Sequence, residues 1–379
     1  MEKPEIYLDN AATTRVCTEA ADIAYKVMTD CYGNPSSTHT KGRDAKAYLD
    51  TARAQIAAAL GCSASEVYFT SCGSESDVWA ITRGAESAAR RGRHIISSAV
   101  EHDAVRKTLE ELESRGFEVT YLSPEKDGSV SVDAVKAALR EDTILVTLMM
   151  VNNETGGITD IAAIAKMLKG CGSKALLHTD AVQGFMKVPF SAKKLGADMI
   201  SISGHKIHAP KGIGALYIKT GVKIKPLIRG GAQEGGMRAG TEAMPQIAAF
   251  GKAAEIAFSG MKDNCDTMAS LRALAMSTIC ADIPEAQIIG GGAPHILSVS
   301  LPGWRSEVLM NFLEAEGIYV SRSSACKKGG RSHVLEAMRL PAQVIDGAIR
   351  VSFSRYNTED DVLALCSALK RAHDTLAHR

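Results

Sequence analysis

Between about residues 60 and 220 the chain alternates short β-branched runs with segments of helical period, and this alternation limits its possible folds more than any other feature. "HIISSAV" (94–100) precedes the helix-period segment "EHDAVRKTLEELESRG", which Gly116 closes as a C-cap. "FEVTYLS" follows, then a helix around "SVDAVKAALRE", then the strand "TILVTLMMVN". A helix at "DIAAIAKMLKG" and strands at "KALLHTD" and "DMISISG" continue the series, and "GIGALYIK" adds one more strand. Strand, helix, strand in this order predicts βαβ units and a largely parallel sheet with both faces covered.

Beyond about residue 260 the texture changes. A long helix (roughly 262–280) leads into "AQIIGG", "HILSVSLPG", a helix at "SEVLMNFLEAEG", "IYVSRSS" and "AIRVSFSRY". A last helix runs through "TEDDVLALCSALKRAHDTL". Strands and helices joined by short connections predict a smaller α+β unit, with which the first dozen residues can pack.

Composition narrows the partners. With 45% hydrophobic and 23% charged residues the 379-residue chain is globular, and a formal net charge of +1 gives no bulk attraction to nucleic acid or to anionic membrane. A small-molecule substrate is the expectation. "MEKPEIYLDN" lacks the apolar core of a signal peptide and "ILVTLMMV" is too short to span a bilayer, so the expected compartment is the cytoplasm. The nine cysteines are odd in number and contain no C-x-x-C pair, which points to reduced thiols rather than a disulfide framework or zinc cluster. Cys62, Cys171, Cys265, Cys280 and Cys366 read as small apolar residues in packed elements.

In an open parallel sheet, ligands bind beyond the carboxyl ends of the strands. Asp180 ends "ALLHTD" with Gln183 shortly after it, Asn153 ends "VTLMMVNN", Ser203, His205 and Lys206 follow "MISIS", and His102 follows "HIISSAV". Pyridoxal phosphate needs such a set: a lysine for its Schiff base, a carboxylate on its pyridinium nitrogen and a ring over its face. Lys206, Asp180 and His102 suit these roles. Its phosphate needs a helix N-terminus with hydroxyl donors, which the Gly73-Ser74 turn of "TSCGSESDVWAITRG" offers; Ser74-x-x-Asp77 also fits a capping box. His205-x-x-His208 has the spacing of two metal ligands, but no third ligand accompanies it, so no metal is expected. "PKGIGAL" lacks the phosphate-loop pattern of nucleotide binders.

Nine blocks occur in the order seen in cysteine desulfurases, pyridoxal-phosphate enzymes of the class V aminotransferase group: "YLDNAATT", "GNPSSTH", "FTSCGSESD", "VNNETG", "HTDAVQ", "SGHKIHAPKGIGALY", "GMRAGTEA", "SSAC" and "IRVSFSRYNTEDD". The chain resembles that family from about residue 5 to 375. The resemblance implies an aspartate-aminotransferase-like α/β fold, with a mostly parallel central sheet in a large cofactor-binding domain (15–258). A small α+β domain (1–14 and 259–379) would carry the loop of Cys326. It also implies Lys206 as the Schiff-base lysine, Asp180 on the pyridine nitrogen and His102 on the ring. Gln183 and Asn153 match positions near the phenolic oxygen, and Gly73, Ser74, Ser203 and His205 the phosphate site. Thr241 matches a phosphate contact made from the neighbouring subunit of a homodimer. Asn34 and Arg350 match the pair holding the substrate carboxylate, and Cys326 the nucleophile that becomes a persulfide.

The implied reaction converts L-cysteine to L-alanine and passes the sulfur to an acceptor such as an iron–sulfur scaffold or a sulfur carrier. Lys327 and Lys328 would favour the required thiolate, and Gly329 and Gly330 would let its loop swing. A selenocysteine lyase and a class V aminotransferase are the alternatives on the same residues. The chain departs from the pattern in three places: Cys72 stands where glycine is usual, Gly235 where arginine is common, and the stretch from Cys326 to "SHVL" is about two residues shorter.

Overall fold

The computed structural model describes residues 5–322 and 330–376. Strands are numbered here along the chain. β1 (Ile6–Tyr7) precedes two helices, Thr18–Thr29 and Thr40–Leu60. Then come β2 (Val67–Thr70), β3 (His94–Ser98), β4 (Glu118–Leu122), β5 (Thr143–Met149), β6 (Leu176–Asp180), β7 (Met199–Ser203) and β8 (Gly214–Ile218). These seven form one sheet in the order β2-β8-β7-β6-β5-β3-β4. The neighbours from β4 to β7 run parallel, while β8 is antiparallel to both β7 and β2. The expected mostly parallel sheet is therefore present. Strand β2 is an addition: "VYFT" is too short, and too close to the glycine turn, to announce itself by period.

The sheet is covered on both faces, as its sequence requires. Every residue of β3, β5 and β7 is buried. Because side chains alternate between faces, Ile96, Val146 and Ile200 enter one apolar cluster while Ile95, Leu145 and Met199 enter another. The helix Gly73–Ala88 packs Trp79, Ala80 and Ile81 into the second cluster. Gly116 (φ 82°) follows the helix Asp103–Ser114 in the left-handed region, as a C-terminal glycine should.

The remaining strands are β9 (Gln287–Ile289), β10 (Ile296–Ser300), β11 (Ile318–Tyr319), β12 (Ser321–Arg322) and β13 (Ala348–Ser352). Four of them form an antiparallel sheet in the order β12-β13-β10-β9, and β1 pairs in parallel with β11. A third apolar cluster joins Ile6 and Leu8 to this part of the chain through Leu297, Val299, Ile349 and Phe353. No helix among the described residues is long and apolar enough to cross a membrane.

Two expectations about thiols change. Cys171 and Cys280 are exposed rather than packed, because both sit on the solvent side of helix ends; Cys17 and Cys366 are buried. At position 235 the glycine has a conformational reason. Glu234, Gly235 and Gly236 take φ of 47°, 64° and 78°, a left-handed run in which a side chain other than glycine is strained. Glu234 tolerates it because Arg53 grips its carboxylate at 2.6 and 2.7 Å and the Phe69 N–H donates to it at 2.9 Å.

The N-terminal segment is stapled to the end of β13 in the four-stranded sheet. Asn10 Nδ2 donates to the carbonyls of Tyr7 and Ser352 and to Asn357 Oδ1, and the Ala11 N–H donates to Ser352 Oγ at 2.8 Å. Replacing Asn10 by alanine removes its three side-chain hydrogen bonds and leaves the Tyr7 and Ser352 carbonyls with one donor each, Asn357 Nδ2 and the residue 10 N–H. It is expected to cost about 1–3 kcal/mol of unfolding free energy, measurable as a fall in the urea midpoint at unchanged slope.

Candidate active site

A cavity of about 380 Å3 opens at the carboxyl ends of β3, β5, β6 and β7. Chain topology puts it there: each parallel strand ends at this rim and hands its next residues to a loop. Gly73, Ser74, His102, Asn153, Asp180, Gln183, Ser203, His205, Lys206 and Arg350 all line it. The structure does not bring Asn34 to Arg350. Asn34 lies in the exposed connection between the first two helices, where its Oδ1 accepts from the Ser36 N–H at 2.9 Å. Thr241 is likewise exposed and away from the cavity of its own chain. Cys326, with Lys327, Lys328 and Gly329, lies outside the described residues.

Asp180 is the last residue of β6 and is buried. Burial raises its pKa, while the neighbouring His102, the Val182 N–H, which donates to Oδ1 at 2.9 Å, and the Lys206 ammonium oppose that rise. Lys206 closes a 3-10 turn after β7, and its ammonium donates to the carbonyl oxygens of Ala11 (2.6 Å) and Ala12 (2.7 Å). His102 caps the helix Asp103–Ser114: its Nδ1 accepts from the Ala104 N–H at 3.1 Å, so in the neutral ring Nε2 carries the proton. His205 is pushed down to about 4 by burial and then by Lys206, and its ring meets Thr13 Oγ1 at 3.2 Å.

The helix Gly73–Ala88 begins two residues earlier than a Ser74 cap requires. Cys72 is the N-cap, Ser74 lies in the first turn, and the carboxylate reaching back is that of Glu75, on the Ser71 N–H at 2.8 Å. The capping-box reading of Ser74 and Asp77 is thus replaced. Asp77 points inward instead, 3.7 Å from His178 Nε2. Burial and then the neighbouring Asp180 raise Asp77 well above the carboxylate range. With Lys206 and His102 beside Asp180, the charge resides on Asp180 and the proton on Asp77.

Several cavity features suit a bound phosphate. Ser203 Oγ is buried with no hydrogen-bond partner. A Cβ at Gly73 would come within 2.7 Å of Val182 Cγ2, so glycine is needed for the close approach of helix and loop. The first-turn N–H groups of a 16-residue helix face the same end. Amine, carboxyl, imidazole and phosphate-binding end thus fit the pyridoxal phosphate that the sequence led us to expect.

The opposite wall carries Arg350, buried on β13. It donates to the Asn153 carbonyl at 2.8 Å and to Asp9 Oδ1 at 2.9 Å, while Nε is unpartnered. Three carboxyl and imidazole groups here were assigned no role from the sequence, although Glu154 lies within "VNNETG". Glu154 lines the cavity, hydrogen-bonds Ser332 and is pushed up to about 7 by burial. Glu101 is pushed up to about 8, chiefly by burial. His295 donates from Nε2 to Gln183 Oε1 at 3.2 Å, and Gln183 Nε2 donates to the Ala11 carbonyl at 2.8 Å.

Comparison with known proteins agrees with this geometry. The family model described as Aminotransferase class-V matches residues 6–365. A curated relative, "Cysteine desulfurase IscS" of Methanosarcina thermophila, is 43% identical over 366 residues, 95% of this chain and 90% of its own length. Among solved structures, a "NifS-like protein" superposes with a TM-score of 0.93 at 38% identity, covering 98% of this chain and all of its own. "SspA in complex with cysteine" does so at 0.79 and 32%, covering 94% and 100%.

Glu101 yields a test of the buried electrostatics. Its Oε1 accepts from Ser98 Oγ at 2.6 Å and from the Met149 N–H at 3.1 Å, and Oε2 has no partner. A carboxyl whose folded pKa is raised stabilises fully below its unfolded pKa and loses that contribution as pH rises towards about 8. Glu101→Gln mimics the protonated form. It is expected to match the parent near pH 4 and to exceed it in unfolding free energy by more than about 1.4 kcal/mol at pH 8.5, one pKa unit being worth that much. Urea titrations at the two pH values check this.

Proposed function

The chain belongs to the class-V aminotransferase family, among its cysteine desulfurases, and from that premise we propose that it converts L-cysteine to L-alanine while Cys326 takes the sulfur as a persulfide. The observation that carries the reading is a single cavity lined by Lys206, Asp180, His102 and Arg350. Lys206 would hold pyridoxal 5'-phosphate, with Asp180 facing the ring nitrogen and His102 the ring. Gln183 and Asn153 would lie near its phenolic oxygen. Gly73, Ser74, Ser203 and His205 would hold its phosphate, joined by Thr241 of a second copy. When bound, the cofactor supplies an electron sink for charge left on the substrate Cα.

The protein's own groups do the rest. Arg350 offers the substrate carboxylate a planar, two-pronged donor, exchanging its bonds to Asp9 and to the Asn153 carbonyl for the new partner. Asn34, matched to the same carboxylate, would share that role with Arg350. Lys206 Nζ, once free as an amine, removes the Cα proton of the substrate. The Cys326 thiolate attacks the substrate Sγ: the S–S bond forms as Cβ–Sγ breaks, and the released electron pair takes up a proton to complete alanine. A cysteine and a protein thiol thereby become alanine and a protein persulfide, with no external oxidant. Asp77 keeps its proton, so the negative charge behind the ring stays on Asp180.

The cysteine-bound structural relative supports L-cysteine as substrate over a keto acid acceptor or a selenium analogue. The acceptor proposed is an iron–sulfur scaffold or a sulfur carrier. The active form proposed is a homodimer in the cytoplasm, a reducing compartment in which the eight described cysteines stay free. Exposed Tyr25, Met28 and Tyr32 on and beside the helix Thr18–Thr29 supply apolar surface for the second copy.

Incubation with L-cysteine is expected to give alanine and a protein carrying one extra sulfur on Cys326 by mass spectrometry. Cys326→Ser should keep the yellow cofactor but lose persulfide and sulfide; sulfide release at the parent rate would remove Cys326 from the reaction. Lys206→Ala should not capture the cofactor covalently, and normal turnover in that variant would refute its role.

A further inference from the structure

Arg350 is held from two sides, and only one of them is the cavity. Its backbone is fixed in the middle of β13, paired with Ser298 on β10 and Ser321 on β12. One N–H goes to the Asn153 carbonyl at 2.8 Å, one goes to Asp9 Oδ1 at 2.9 Å, and Nε meets no acceptor. Arg350 and Asn153 line the cavity, and Asp9 is not part of its wall. The guanidinium thus stands between a carboxylate of the protein and the space for a ligand.

The motifs give Asp9 no role, and the reaction above only releases it. Among the described residues Arg350 is the one ion-pair partner of its carboxylate, and no other hydrogen bond holds that side chain. Nor does Arg350 have a second carboxylate at salt-bridge distance. Glu154, the other carboxyl that feels its charge, is hydrogen-bonded to Ser332. One buried guanidinium and one carboxylate therefore neutralise each other, and a substrate carboxylate arrives as a second anion for the same cation.

The two partners are not equally free to leave. The backbone around Asp9 is pinned: it bridges to Ser352, its carbonyl accepts from the Ala12 N–H at 3.0 Å, and the Leu8 and Asn10 N–H groups donate to Tyr319 and Ser352. Its side chain, however, is 20% exposed, against 3% for that of Arg350. Breaking the pair leaves Asp9 with water, whereas it leaves Arg350 as a buried charge without an anion. Exchange at Arg350 is thus a rotation of side chains, with Asp9 the partner that departs.

We propose that Asp9 is an internal competitor for Arg350 that makes the site selective for amino acids over simple carboxylates. A ligand with only a carboxylate trades one charge-assisted pair for another and binds weakly. L-cysteine makes the same trade but is also held through its amine at the Lys206 end of the cavity, so its binding survives the competition. Without the Asp9 charge, Arg350 is a buried cation lacking its anion, and any small carboxylate that fits binds more tightly. Asp9 touches neither substrate nor cofactor; it is a positioning residue that acts through Arg350.

The inference rests on Arg350 taking the substrate carboxylate, so the two are tested separately. Binding of 14C-propionate, a carboxylate with no amine, to the cofactor-loaded protein is measured by equilibrium dialysis. Asp9→Asn keeps the size and drops the charge, and is expected to bind propionate at least about tenfold more tightly than the parent, a factor worth about 1.4 kcal/mol. Its KM for L-cysteine should fall, with kcat changed by less. Asp9→Glu keeps the charge and should bind propionate as weakly as the parent, a rescue that a purely structural role would not give. Propionate binding by Asp9→Asn that is equal to or weaker than the parent's overturns the proposal. Asp9→Ser, also uncharged, decides if Asp9→Asn does not fold. Arg350 is judged by Arg350→Gln, which should raise the KM for L-cysteine. An unchanged KM there removes Arg350 from carboxylate binding and takes the role of Asp9 with it, whereas a raised KM beside an unresponsive Asp9→Asn strikes Asp9 alone.

Discussion

Asp180 carries a charge at the end of a buried parallel strand, and the rest of the site is arranged around that fact. An uncompensated carboxylate there would cost several kcal/mol and would protonate instead. The Val182 N–H, the Lys206 ammonium and the His102 ring beside it, and a protonated Asp77 behind it keep the negative charge in place. Each comes from a different loop at the same rim, so the order of strands in the sheet is also the order in which these groups are delivered.

The same constraint explains the path of the N-terminus. Lys206 needs acceptors while its amine is charged, and the carbonyls of Ala11 and Ala12 provide them. Those carbonyls are held by Asn10, Ser352 and Gln183, which tie the first residues to β13 and to the loop after β6. Arg350 sits on the same β13 and faces the same cavity. The carboxylate-binding group and the clamp on the lysine are therefore parts of one strand, and a shift of β13 moves both.

Much of the site was legible because its residues stand at strand ends. Asp180, His102, Lys206, Ser203 and Asn153 each follow an apolar run whose period announces a buried strand, and topology does the rest. Other members were not legible. Glu101 and Glu154 look in sequence like ordinary solvated carboxylates, and only packing withdraws them from water and raises them to about 8 and about 7. Asp77 fits a capping pattern with Ser74 equally well on paper. A two-residue difference in where the helix begins turns it under the cavity instead. Asn34 and Thr241 carry recognisable motifs, yet neither reaches the cavity of its own chain, since both lie on exposed connections.

By itself the sequence determined the alternation of strand and helix, hence a parallel sheet, hence a rim at which polar residues collect; nine ordered motifs then named the family. These are local facts, set by the period of apolar residues and by the residue types that interrupt it. Tertiary structure alone decided which buried groups carry charge. Protonation depends on distance and dielectric, and those arise when segments far apart in the chain meet, as Asp77 meets Asp180 and His295 meets Gln183.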